Sequence, residues 1–191
     1  MRDNVIFLIG RSGSGKSTIA DMLVERNGWS SVVSYTTRAR RYRGEQGHIF
    51  VDTPTAESML FKDKERISSK DPKWHGKLKN NIIAYTFFNG NHYWATREQI
   101  KGTTVYVIDQ AGVDYFQEHF PHIRSKSFYL DLPAMTCFHR MVLRDGETKA
   151  SERYLHDLNA FRTIKADYTI VPYDNNERTC ELIEDLITYG D

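Results

Sequence analysis

"GRSGSGKST", residues 10–18, follows the apolar run "NVIFLI", residues 4–9. Gly10, Gly15, Lys16 and Ser17 match the spacing G-x-x-x-x-G-K-[ST]. Each part of that spacing has a physical job. Glycines let backbone N–H groups turn inward and approach phosphate oxygens closely. The N-terminus of a following helix adds positive potential. Lys16 reaches the β- and γ-phosphates, and the Ser17 hydroxyl can ligate Mg²⁺. The stretch therefore predicts a nucleoside triphosphate site over Gly10, Ser12, Gly13, Ser14, Gly15, Lys16, Ser17 and Thr18.

Working outward, the chain alternates extended and helical patterns. Val5–Ile9 is a continuous apolar run, as expected of a strand buried on both faces. After the loop, Ile19, Met22 and Leu23 mark one helical face, and Asn27-Gly28 supplies a stop. "SVVSYTT" (31–37) reads as extended. Asn89-Gly90 separates two extended runs within 80–96, the signal of a β-hairpin. "TTVYVID" (103–109), "SFYLDL" (127–132) and "YTIV" (168–171) read as further buried strands. Pro133 is placed to start a helix, and Asn176 to cap a last one that ends at Gly190. Four buried strands joined by helical crossovers predict a parallel α/β sheet. Residues 38–100 lack such runs and read as an inserted lobe.

Composition narrows the class. The 191 residues fit one domain. With 26 Lys+Arg against 25 Asp+Glu the net charge is +1, which argues against a protein that coats nucleic acid. Cys137 and Cys180 have neither metal-ligand spacing nor disulfide density, so a reducing compartment is expected. Val5–Ile9 is too short for a signal-peptide core or a membrane span. The reading is a soluble cytoplasmic protein with no nucleic-acid or membrane partner. Nothing in the sequence sets its oligomeric state.

A phosphate loop alone leaves the reaction open. "SYTTRARRYRGE" (34–45) carries Arg38, Arg40, Arg41 and Arg43 among small hydroxyl residues. Arginine forks match phosphate oxygens in pairs; a solvated basic loop or a nucleic-acid patch is the other reading. Taken with the phosphate loop, this stretch resembles the guanylate kinase family. Ser34, Thr36-Thr37-Arg38, Arg41 and Gly44-Glu45 follow that family's signature, with one extra residue between Arg41 and Gly44. Gly90-Asn91-His92-Tyr93 resembles its hairpin, "VIDQAG" (107–112) its acid-ended strand, and Arg140, Arg144 and Arg153 the arginines of its mobile lid.

The resemblance implies a P-loop NTPase fold with a parallel-sheet core, an inserted monophosphate-binding lobe carrying a β-hairpin, and a helical lid. It implies a core of residues 1–33, 97–138 and 157–191, a lobe of 34–96 and a lid of 139–156. It implies transfer of the γ-phosphoryl group of ATP, with Mg²⁺ on Ser17, to a nucleoside monophosphate. Lys16, Arg41, Arg140, Arg144 and Arg153 would neutralise charge during transfer. Ser34, Arg38, Arg41, His48, Tyr93 and Asp109 would hold the acceptor. For Asp109 the other readings are a place facing the waters around Mg²⁺ and a helix cap or loop hydrogen-bond acceptor; for His48 the other reading is a surface loop histidine. Arg140 and Arg144, four apart on the helix begun at Pro133, share a face.

The sequence departs from the family where the base is read. The family's guanine-reading glutamate falls at Ala84, and no Asp or Glu stands between Asp71 and Glu98. Trp94 and Ala95 replace a small polar pair; Trp94 would stack on a base or shrink the pocket. An acid placed at position 84 would be expected to raise activity on GMP. These departures leave a non-nucleotide acceptor, such as a sugar phosphate, as an alternative. A non-catalytic protein-binding module of the same family is another, disfavoured by the complete phosphate loop.

Overall fold

The computed structural model describes residues 3–40, 42–62, 77–88 and 90–190. Its centre is a five-stranded parallel sheet in the order β2-β7-β1-β8-β9. The strands are β1 (Asn4–Ile9), β2 (Ser30–Ser31), β7 (Thr103–Val107), β8 (Arg124–Leu130) and β9 (Tyr168–Ile170). Val5, Ile6, Phe7, Leu8 and Ile9 are each 0% exposed, because β1 is central and both its faces are covered. Period-two alternation divides them. Val5, Phe7 and Ile9 join Val113 and Phe116 of α3 (Gln110–His119). Ile6 and Leu8 join Ile19 and Leu23 of α1 (Lys16–Asn27) and Cys180 and Ile183 of α6 (Asn176–Tyr189).

A second, mixed sheet is inserted between β2 and β7. Its order is β4-β3-β6-β5, with β3 (Tyr35–Thr36), β4 (Ile49–Phe50), β5 (Ile82–Phe88) and β6 (Asn91–Thr96). β5 and β6 form the expected hairpin, Phe88 opposite Asn91; Asn89 lies outside the described residues. α2 (Thr53–Leu60) covers this sheet through Ala56 and Leu60, which pack with Phe61, Ile82 and Trp94. Among the described residues no helix is long and apolar enough to cross a membrane.

Several expectations need adjustment. The central sheet has five parallel strands, not four, because the extended stretch 31–37 divides. Ser30–Ser31 pairs with β7, whereas Tyr35–Thr36 pairs with β4 and β6. The last helix is capped by Asn175, whose side chain accepts from Glu177 N, so Asn176 is the first helical residue. Pro133 stands just before α4 (Ala134–Asp145) rather than in its first turn. α4 and α5 (Glu147–Ala160) form a helical hairpin joined at Gly146.

Candidate active site

The phosphate loop leaves the C-terminal end of β1 and enters α1. Parallel strands bring their carboxyl ends to one edge, so the ends of β1, β7 and β8 lie together there. Gly15 holds φ +94° as the N-cap of α1, and no side chain caps that helix. Its first-turn N–H groups are therefore left for an anion. Gly13 holds φ +84°, and a Cβ there would stand 2.7 Å from the carbonyl oxygen of Cys137. Only glycine lets the loop lie this close to α4.

Beside the loop is a cavity of about 450 Å³ lined by Ser12, Gly13, Gly15, Lys16, Ser17, Thr18, Arg140, Arg144 and Arg153. Among the described residues four cations and no carboxylate line it. The expected donor residues are thus brought together, with Gly10 and Ser14 in the same loop. Arg140 and Arg144 do share a face, and an Arg140 guanidinium N–H donates to Gly13 O at 3.4 Å. Arg144 is ion-paired with Asp145 at 2.7 Å. Lys16 Nζ folds back, donating to Arg11 O at 2.7 Å and Ser14 Oγ at 3.4 Å. These groups fit a polyphosphate. Ser17 is exposed at the start of α1, where its hydroxyl would meet a Mg²⁺ arriving with the donor.

Burial pushes the Lys16 ammonium down to about 8 from the ordinary 10.5, and the Asp157 carboxylate partly offsets this. The shift has two opposite consequences. Above the folded value and up to 10.5, the unfolded chain holds a proton that the folded chain has released. Unliganded stability therefore gains from Lys16 as pH rises through that window. Affinity for a polyphosphate falls there, because its cation is lost. Calorimetric titration with Mg²⁺ and AMPPNP is expected to show about a tenfold loss between pH 7 and pH 9, absent in Lys16→Gln.

The inserted sheet carries the second group of expected residues. Arg38 grips Glu45 through both guanidinium nitrogens, at 2.8 and 3.2 Å, and lies over the Phe50 ring at 5.3 Å. Arg40 donates to Glu45 O and stacks on Phe50 at 4.1 Å. His48 lies between Phe50 and Tyr93, with ring centroids 6.0 and 5.8 Å away. Arg38, His48 and Tyr93 are therefore neighbours, as expected; Arg41 lies outside the described residues. Ser34 Oγ is 3.3 Å from the Tyr106 hydroxyl, where the two sheets meet.

Two readings of the sequence change. Asp109 is the N-cap of α3 and accepts from Gly112 N at 2.8 Å, so the helix-cap reading is the one realised. Trp94 neither stacks on a base nor narrows a pocket. It is 1% exposed, stacked on Tyr35 at 5.3 Å in the core beneath α2. Strand alternation turns Tyr93 to the opposite face. Two residues of the site were missed. Arg11 reaches Tyr129 Oη at 2.7 Å and Asp131 at 3.2 Å. Asp157 accepts from Ser12 N at 2.6 Å. The signal for Asp157 was its place one turn after Arg153 on the same helix.

Fold and loop together define a P-loop NTPase. The family model described as "AAA domain" matches residues 6–160, and the chain belongs to that family. Among solved structures it is similar to guanylate kinase from Anaplasma phagocytophilum, with 23% identity and a TM-score of 0.60 over 98% of this chain and 86% of that one. It is also similar to the APS kinase of Mycobacterium tuberculosis, solved with AMPPNP and APS, with 17% identity and a TM-score of 0.52 over 98% of both chains. The comparison with curated proteins gave no match.

Proposed function

We propose that the protein is a kinase that moves the γ-phosphoryl group of ATP to a small phosphorylated acceptor, with a nucleoside monophosphate as the first candidate. One observation carries this reading: Lys16, Arg140, Arg144 and Arg153 converge on one cavity at the phosphate loop. The two solved structures described above are both kinases of small acceptors, which supports the reaction class.

In this reading residues 34–96 hold the acceptor, residues 139–156 cover the donor, and the remaining residues are the core. Phosphoryl transfer asks mainly for alignment and charge neutralisation. Lys16 and the loop N–H groups hold the donor phosphates. Arg140, Arg144 and Arg153 meet the charge on the transferring group. Ser17 would hold a Mg²⁺, which would neutralise part of the donor's phosphate charge. Arg38, Arg41, His48 and Tyr93 hold the acceptor's own phosphate, with Ser34 nearer its remaining part.

A second reading, a non-nucleotide acceptor, is favoured by one feature. Ala84 and Ala95 face each other across the hairpin, both buried, where a base reader would need polar groups. One experiment addresses both readings. Ribo- and deoxyribonucleoside monophosphates and sugar phosphates are supplied with ATP and Mg²⁺, and ADP release is measured. ATP turnover with no acceptor on the panel would overturn the kinase reading.

Arg38→Lys keeps the charge but loses the two-pronged grip. We expect it to raise the acceptor KM by roughly tenfold or more while leaving the ATP KM unchanged. A change confined to the ATP KM would move Arg38 to the donor side.

A further inference from the structure

The phosphate loop is not held by its own strand and helix alone. Asp157, on α5, is an acidic side chain only 5% exposed. Its Oδ2 accepts the backbone N–H of Ser12 at 2.6 Å, and its Oδ1 lies 3.2 Å from His156 Nδ1. One turn further on, Phe161 stacks with Tyr129, and the Arg11 guanidinium sits 6.0 Å from the centroids of both rings. Adjacent loop residues, Arg11 and Ser12, are thus fastened to the end of α5. One turn before Asp157 on the same helix, Arg153 lines the cationic cavity.

We propose that Asp157 is a positioning residue that roots α5 on the phosphate loop, so that seating a nucleotide and placing Arg153 over it become one coupled event. The carboxylate itself repels an anionic ligand. If charge alone mattered, removing it would tighten nucleotide binding. The hydrogen bond gives the opposite expectation: without an acceptor for Ser12 N–H, α5 loses its register on the loop and Arg153 its place.

The sign of the effect is therefore the test. It rests on the kinase reading only for its choice of probe, Mg²⁺ with AMPPNP, and it reads affinity rather than turnover. Failure of transfer to every acceptor would overturn the kinase reading and leave this test intact. We expect Asp157→Ala to weaken binding by about tenfold or more. Asp157→Asn, which keeps an acceptor oxygen, should bind within about threefold of wild type. In a cycle with Arg153→Ala, the double variant should bind no more weakly than the worse single one, because both changes remove the same contact. Tighter or unchanged binding in Asp157→Ala, or losses that multiply in the double variant, would overturn the proposal. Should Asp157→Ala fail to fold, hydrogen exchange on the wild-type protein decides. Nucleotide should protect amides of residues 150–160 along with the loop, and protection of the loop alone would overturn the proposal.

Discussion

Replacing Lys16 with alanine is expected to leave a folded protein and to cut phosphoryl transfer by at least about a hundredfold, since a lost preorganised charge contact costs about 2.7–4 kcal/mol. Folding should survive because both Lys16 hydrogen bonds are local, to Arg11 O and Ser14 Oγ. Its burial also disfavours the charge, as the lowered ammonium value shows. Truncation therefore removes a strained cation rather than a support. Steady-state kinetics, with thermal unfolding as the control, checks both halves. Near-normal turnover in a folded variant would remove the mechanism.

The preference for GMP over other nucleoside monophosphates is expected to stay below about a thousandfold. A site built to hydrogen-bond a group rejects analogues lacking it by roughly 10⁴–10⁵, whereas apolar contacts discriminate by about 10–200. Ala84 is 4% exposed and clusters with Ile83, Ala95 and Tyr106. Position 84 itself therefore offers no carboxylate to read guanine. The structure also changes what an added acid should do. Sequence alone suggests that Ala84→Glu would raise activity on GMP. At this packed position it would bury a carboxylate among apolar groups at a cost of several kcal/mol. Loss of stability is therefore the expected first result, measured by urea unfolding with and without GMP. A wild-type preference above a thousandfold would mean that another group reads guanine.

The parts of this fold that were legible share one physical trait: their pattern is set locally. β1 is covered on both faces, so its burial is written as a continuous apolar run. The loop must turn inward at fixed places, so its glycines and lysine keep fixed spacing. The hairpin is announced by Asn89-Gly90. What could not be read depends on distant surroundings. Trp94 and Tyr93 are adjacent aromatics, and only the position of α2 decides that Trp94 is core. Asp109 ends a strand at the ligand edge, which suits a ligand or a cap equally until Gly112 N is seen. Asp157 resembles any acid on an amphipathic helix, since its partner is a backbone N–H 145 residues earlier in the chain.

The central place of β1 also bears on how the chain reaches this structure. Asn4 pairs with Thr103 on one side and with Arg124 on the other. The most apolar strand thus leaves the ribosome long before either neighbour exists. Contacts so far apart in sequence are slow to form, because a long loop must close before any of them is rewarded. During synthesis Val5–Ile9 is a naked β-forming segment in need of cover, the kind of surface that chaperones bind and that aggregates when they are scarce. A chain stopped before Arg124 would lack one wall for β1 and should be insoluble, whereas one stopped after β8 would hold both.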